Sequence, residues 1–292
     1  MRITPNPEGV GARVEGADLS RPLSDGDFRA ILRALGERGV LCFPGQSLDA
    51  AQLSAFGSRF GQLEHNVANS FHAPGHPEVM VLSNMKEGGK PVGLNDAGQG
   101  WHTDMSYSTE IALANVLHAK RVPVRDGRPL GATQFRDMHA AYEGLPAEVR
   151  ERLEGRVAIH DFNKFWEMMR QRPGSGRAPL TEEQRRRKPP VPQPIFRVHP
   201  VTGRRVLYCN PGYAVRIEGM EPAESDAMLE FLFKHQSRAK YLYSHEWTPG
   251  DVLMWDNIAT THNAVADYGP DEPRFILRVQ VMATLDYASL AA

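Results

Sequence analysis

The segment Trp101-His102-Thr103-Asp104 carries an imidazole and a carboxylate two positions apart. In extended backbone, side chains at i and i+2 point to the same face, so His102 and Asp104 can share one metal ion. In a chain with 11 histidines a single triplet of this kind is weak by itself, and a purely structural reading stays open. The weight rises with His262, which follows the block Trp255-Asp256-Asn257 far along the chain. A distant strand can supply this second imidazole, and two histidines with one carboxylate form a facial triad that leaves coordination positions free for other ligands.

A second pattern lies beyond His262. From Arg274 to Val281 the residues alternate, with Arg274, Ile276, Arg278 and Gln280 on one face and Phe275, Leu277, Val279 and Val281 on the other. Strand rise separates the alpha carbons of the two arginines by about 13 Å. A guanidinium is costly to bury unless it meets an anion, and its fork matches a carboxylate. The plain alternative is a pair of solvent-facing arginines on an amphipathic strand.

The elements that must position these groups are mostly short strands, expected at 79–82, 112–119, 156–160, 239–247, 252–255, 261–266 and 274–282. Turn sequences such as Thr248-Pro249-Gly250-Asp251 separate the later ones, as antiparallel barrels or jelly rolls require. Helices are expected at 24–37, from Asp49 to Gly61, at 147–154 and at 223–235. The first shows Phe28, Ile31, Leu32 and Leu35 at helical spacing before Gly39, and the second opens on an Asp49/Gln52 capping-box pattern. The fold class is therefore mainly β, of α+β type, with flanking helices in one domain over 1–292. The stretch 170–194 is rich in Arg, Pro, Gly and Gln and reads as a long mobile insertion, reaching back to about 162 when the aromatic run Phe162, Phe165 and Trp166 is included. Those aromatics either line a pocket or fill core.

Composition narrows the function. The 34 Lys and Arg against 35 Asp and Glu give a net charge of −1, so there is no positive field to hold a nucleic acid. The two cysteines, Cys42 and Cys209, form no CxxC pattern, which argues against a disulfide framework and a thiolate zinc site and favours a reducing cytoplasm. No apolar run is long enough to cross a bilayer, and the N-terminus lacks the apolar core of a leader. Dinucleotide, P-loop, HExxH and GxSxG signatures are missing.

Taken together, Trp101-His102-Thr103-Asp104, Trp255-Asp256-Asn257 ahead of His262, and the Arg274/Arg278 pair resemble the TauD/TfdA group of iron(II)- and 2-oxoglutarate-dependent dioxygenases. Shorter matches at 39–46, 60–64 and 137–142 follow the same order. The resemblance implies a double-stranded β-helix core (jelly-roll, cupin-like), with the 162–194 insertion in the place of the active-site lid. It implies that His102, Asp104 and His262 ligate Fe(II). Arg274, helped by Thr133, would bind the distal carboxylate of 2-oxoglutarate, although Leu130-Gly131-Ala132 departs from the family's usual approach to that threonine, and Thr133 also suits a plain strand. The co-substrates would be 2-oxoglutarate and O2, leaving as succinate and CO2 while a small anionic substrate is hydroxylated. Because Asp104 is present, hydroxylation is expected over halogenation. Arg278 falls where relatives grip an anionic group of the substrate, with steadying of the 1-carboxylate of 2-oxoglutarate as the alternative role, and His65 falls where taurine-utilising relatives carry a substrate-contacting histidine; an ordinary loop histidine is the alternative there. A homo-oligomer is compatible with the resemblance. Two other readings stay open: a metal-dependent hydrolase or isomerase, which would not need Arg274, and a non-catalytic binding protein on a cupin-like barrel.

Overall fold

In the computed structural model, Ser24 caps helix Asp25–Arg38 by accepting from the Asp27 amide, and Gly39 ends it at φ +72°, where its N–H donates to the Leu35 carbonyl. The helix buries Phe28, Ile31, Leu32 and Leu35, as their spacing predicts. Helix Ala50–Ser58 carries both halves of the expected Asp49/Gln52 capping box. The Phe28, Phe56 and Phe60 rings pack between these helices. The structure describes residues 1–292 except 8, 66–70, 173, 174 and 176.

Both helices lie on one face of an eight-stranded sheet. Its order is Arg2–Pro5, Ala12–Glu15, Val40–Phe43, Val252–Asp256, Ala112–Arg121, Phe275–Met282, His76–Ser83 and His72–Ala73. Every neighbouring pair is antiparallel except Ala12–Glu15 against Val40–Phe43. Alternation sorts the two faces: Leu41, Phe43, Met254, Leu277 and Val279 join the helices, whereas Val40, Leu253, Trp255, Ile276 and Leu82 face the other way. That second face meets Phe135 and Trp247. Phe135 belongs to a three-stranded antiparallel sheet in the order Leu242–His245, Thr133–Asp137, Thr260–Ala264. The expected metal ligands share a cavity between the two sheets with Thr133, Arg274 and Arg278.

Several elements depart from expectation, among them the strand Thr133–Asp137 and the helix Met138–Glu143, neither of which was anticipated. The single strand expected over 239–247 divides into a 3-10 turn, Ala239–Tyr241, and the strand Leu242–His245. The strands Arg2–Pro5 and Ala12–Glu15, not anticipated, extend the sheet edge through pairing with Val40–Phe43. The 162–194 insertion is not a featureless loop. Its described residues form helix Phe162–Arg170, helix Glu182–Arg187 and the strand Val191–Pro194, which pairs with Val157–His160. Thr181 and Gln184 make a complete capping box for the second helix, a local signal that overrides the Pro- and Gly-rich composition around it. Among the described residues no helix is long and apolar enough to cross a membrane.

Buried histidines make stability acid-sensitive. Burial, with Lys120 adding to it, pushes His118 down to about 4, and burial, with Lys164, pushes His160 down to about 3. Between these values and the ordinary 6.5, the unfolded chain binds more protons than the folded one, so stability is full above 6.5 and falls as the pH drops. The limiting slope is about 1.4 kcal/mol per group per pH unit. The thermal midpoint is expected to fall steadily from pH 6.5 to 4.5, and a flat profile would contradict this reading.

Candidate active site

His102 and His262 are locked side by side by reciprocal backbone hydrogen bonds. The His102 N–H donates to the His262 carbonyl at 3.1 Å, and the His262 N–H donates to the His102 carbonyl at 2.9 Å. Their ring centroids lie 4.2 Å apart. Two residues on from His102, the Asp104 backbone is clamped by Asn257, whose Oδ1 accepts from the Asp104 N–H at 3.2 Å and whose Nδ2 donates to its carbonyl at 2.7 Å. Thr103 points the opposite way and donates to the Thr260 carbonyl. Gly212 makes room for this arrangement: a Cβ there would lie 2.7 Å from the His102 Cβ.

The His102 ring donates from Nδ1 to the Gly100 carbonyl at 2.6 Å. This fixes the tautomer and leaves Nε2 as a lone-pair donor. That Nε2 is 3.5 Å from Asp104 Oδ1, and His262 Nε2 is 3.6 Å from Asp104 Oδ2. The three ligand atoms all lie within 4.8 Å of one another. Burial opposes ionisation of Asp104, but the Arg278 guanidinium and the two imidazoles outweigh it and hold the carboxyl well below the usual range. Burial, with His102 beside it, keeps the His262 imidazole neutral. Two imidazoles and a carboxylate form a donor set that fits a divalent ion and leaves open positions. Phe165 at 4.7 Å from the His102 ring and Trp255 at 4.8 Å from the His262 ring supply apolar walls.

One cavity is lined by all three donors together with Thr133, Arg274 and Arg278. Arg274 is 8% exposed, and among the described residues no carboxylate lies within ion-pair distance of it. Burial lowers its pKa, opposed by contact with Tyr268. Its backbone is held from both sides, since its N–H donates to Asn84 Oδ1 and its carbonyl accepts from Ser83 Oγ. The Thr133 hydroxyl accepts from the Trp247 indole N–H at 3.0 Å, so its own proton is left to donate. A buried cation without a counter-ion beside a hydroxyl with a proton to donate is suited to receive an anion.

The remaining two expected residues behave differently. Arg278 shares the cavity, but its Nε and Nη2 donate to Asn115 Oδ1, and its Nη2 also donates to Asp104 Oδ2 at 2.8 Å. His65 is exposed and does not reach the triad. It lines a separate cleft with Glu64, Met105, Tyr107 and Lys188. Sequence reasoning missed Asn115, Trp247 and Gly212 as supporting residues. Their contacts join strands distant in sequence, so no local pattern announces them. Asn257 was visible only as part of the block ahead of His262.

A donor set that could hold a divalent metal, in one cavity with a carboxylate-free buried guanidinium, suits an oxygenase of the 2-oxo-acid-dependent class. The sequence pattern of the family described as "Taurine catabolism dioxygenase TauD, TfdA family" matches residues 2–280, and this chain belongs to that family. It is an oxidoreductase using Fe(II), 2-oxoglutarate and O2. Among its relatives, pentalenolactone F synthase of Streptomyces arenae is 32% identical over 286 residues, 96% of this chain and 94% of the relative. The alpha-ketoglutarate-dependent 2,4-dichlorophenoxyacetate dioxygenase of Cupriavidus pinatubonensis is 34% identical over 261 residues, covering 86% and 87% of the two chains. The crystal structure of AAD-2 in complex with Mn(II) and N-oxalylglycine superposes with a TM-score of 0.82 at 29% identity, covering 98% of each chain.

Proposed function

We propose that this enzyme hydroxylates a small anionic organic substrate, with His102, Asp104 and His262 as the Fe(II) ligands and Arg274 with Thr133 receiving the distal carboxylate of 2-oxoglutarate. The single observation that carries this reading is the buried, carboxylate-free Arg274 guanidinium in the same cavity as the triad. A hydrolase or isomerase would have no use for it. The paired sheets are read as a double-stranded β-helix, and 162–194 as its cover.

Iron bound here supplies the redox chemistry that couples decarboxylation of 2-oxoglutarate to insertion of one O2 oxygen into a substrate C–H bond. The chain's own residues set the conditions for it. Arg278 keeps Asp104 ionised and oriented, and its Nη1, which makes no hydrogen bond among the described residues, is the group left for an anion on the substrate. Phe165, on helix Phe162–Arg170, lies against His102 and keeps water from that side. His65 and Lys188, in the neighbouring cleft, would meet the far end of a longer substrate. The relative acting on 2,4-dichlorophenoxyacetate, a carboxylate, supports the anionic class.

The test is the anaerobic visible spectrum with Fe(II) and 2-oxoglutarate. A metal-to-ligand charge-transfer band that shifts on adding candidate carboxylates or sulfonates is the expected result. Its absence at saturation would remove the 2-oxo acid from the mechanism. Within this reading Thr133→Val deletes one hydrogen bond, worth about 0.5–1.5 kcal/mol. The KM for 2-oxoglutarate should rise roughly 2- to 10-fold while kcat holds, measured by succinate formation.

A further inference from the structure

A second cluster of metal-binding side chains lies away from the triad. Cys42 comes from the strand Val40–Phe43 of the large sheet, His245 closes the strand Leu242–His245 of the small sheet, and Asp251 immediately precedes the strand Val252–Asp256. Their exposures are 9%, 7% and 4%. One ligand atom from each lies within 4.8 Å of the others. His245 Nε2 is 3.3 Å from Asp251 Oδ2 and is a buried nitrogen without a hydrogen-bond partner.

We propose that Cys42, His245 and Asp251 form a second cation site, taking a borderline-soft divalent ion such as Zn(II) or Co(II) and tying the two sheets together. Tetrahedral zinc, at about 2.3 Å from sulfur and about 2.0–2.2 Å from nitrogen or oxygen, places its ligand atoms roughly 3.3–3.6 Å apart, and the His245 to Asp251 separation falls in that range. Thiolate, carboxylate and neutral imidazole neutralise a divalent cation, so the occupied site carries no net buried charge. The outer contacts suit the role. The Tyr243 hydroxyl sits 3.4 Å from His245 Nδ1, on the side away from the site. The Thr248 N–H donates to Asp251 Oδ2 at 2.9 Å, and the Asp251 carbonyl accepts from Ala119.

Without an ion the thiol stays protonated, since burial, with the Asp251 carboxylate adding to it, pushes Cys42 up to about 12. Binding then forms a metal–sulfur bond and releases the thiol proton to solvent. The occupied site would also brace the 2-oxoglutarate receptor. His245 is the strand partner of Thr133, and its ring meets edge-on, at 5.0 Å, the Trp247 whose indole donates to Thr133. The absence of a CxxC pattern argued against a thiolate zinc site, but this site draws its three ligands from separate segments.

Anaerobic titration of the whole chain with Co(II) tests the proposal, because only a thiolate ligand gives the near-ultraviolet sulfur-to-cobalt charge-transfer band. The wild type should take up two equivalents, one of them with that band, and Zn(II) should bleach it. Cys42→Ser should lose the band and keep one equivalent, whereas His102→Ala should keep the band and lose the other equivalent. This contrast separates failure here from failure of the triad reading. If Cys42→Ser does not fold, His245→Gln replaces it and should weaken band formation at least tenfold. No band in the wild type overturns the proposal. So does a band that survives Cys42→Ser or disappears in Cys209→Ser.

Discussion

Arg274→Met is expected to raise the 2-oxoglutarate concentration for half-saturation by about 30- to 3,000-fold, with kcat at saturation nearly unchanged. The range follows from the 2–5 kcal/mol typical of truncating one partner of a buried charge pair, at 1.4 kcal/mol per tenfold. The guanidinium is buried, its backbone is pinned by Asn84 and Ser83, and no carboxylate of the described chain offsets its charge. Its counter-ion must therefore come from the ligand. The same reasoning predicts that Arg274→Met unfolds at an equal or higher temperature than the wild type, because a solitary buried cation costs stability when the ligand is absent. Arg274→Lys should recover part of the affinity, since it keeps the charge and loses the fork. The measurement is succinate formation against 2-oxoglutarate concentration, paired with a thermal melt. A KM within threefold of the wild type would remove Arg274 from the co-substrate site.

His102→Ala is expected to abolish the anaerobic charge-transfer band and lower turnover by at least ~10³-fold, the equivalent of about 4 kcal/mol of lost transition-state stabilisation. His102 is constrained at ring, backbone and Cβ. Its ring is held by Gly100, its backbone is bonded to His262, and its Cβ occupies space that only a glycine at 212 leaves open. Alanine keeps the backbone pairing and removes only the ligand, so the melt should move little. Fe(II) content by elemental analysis distinguishes loss of the metal from loss of chemistry. A variant that retained both iron and band would exclude His102 from the coordination sphere.

Much of this architecture follows from local pattern. Period-2 alternation in Phe275–Met282 separates Ile276 and Arg278 from Leu277 and Val279, because a strand places successive side chains on opposite faces whatever its partners. The Phe28, Ile31, Leu32, Leu35 spacing and the flanking Ser24 and Gly39 mark the first helix for the same local reason. His102 and Asp104, two apart, are visible as a pair before any partner is known.

Tertiary structure decided what each group faces. Nothing near Arg278 in the chain announces Asp104 and Asn115, so a guanidinium expected to be free for substrate is largely committed to the triad's carboxylate. His65 has the side chain of a ligand-contacting residue, yet the fold sets it on a neighbouring cleft. Cys42, His245 and Asp251 carry no spacing signal, because the small and large sheets bring them together. Sequence periodicity assigned faces and element types, since those depend on steric and hydrogen-bonding rules acting over a few residues. Charge pairing and ligand convergence depend on contacts between distant strands, and their energies are fixed only when burial removes the water that would otherwise screen them.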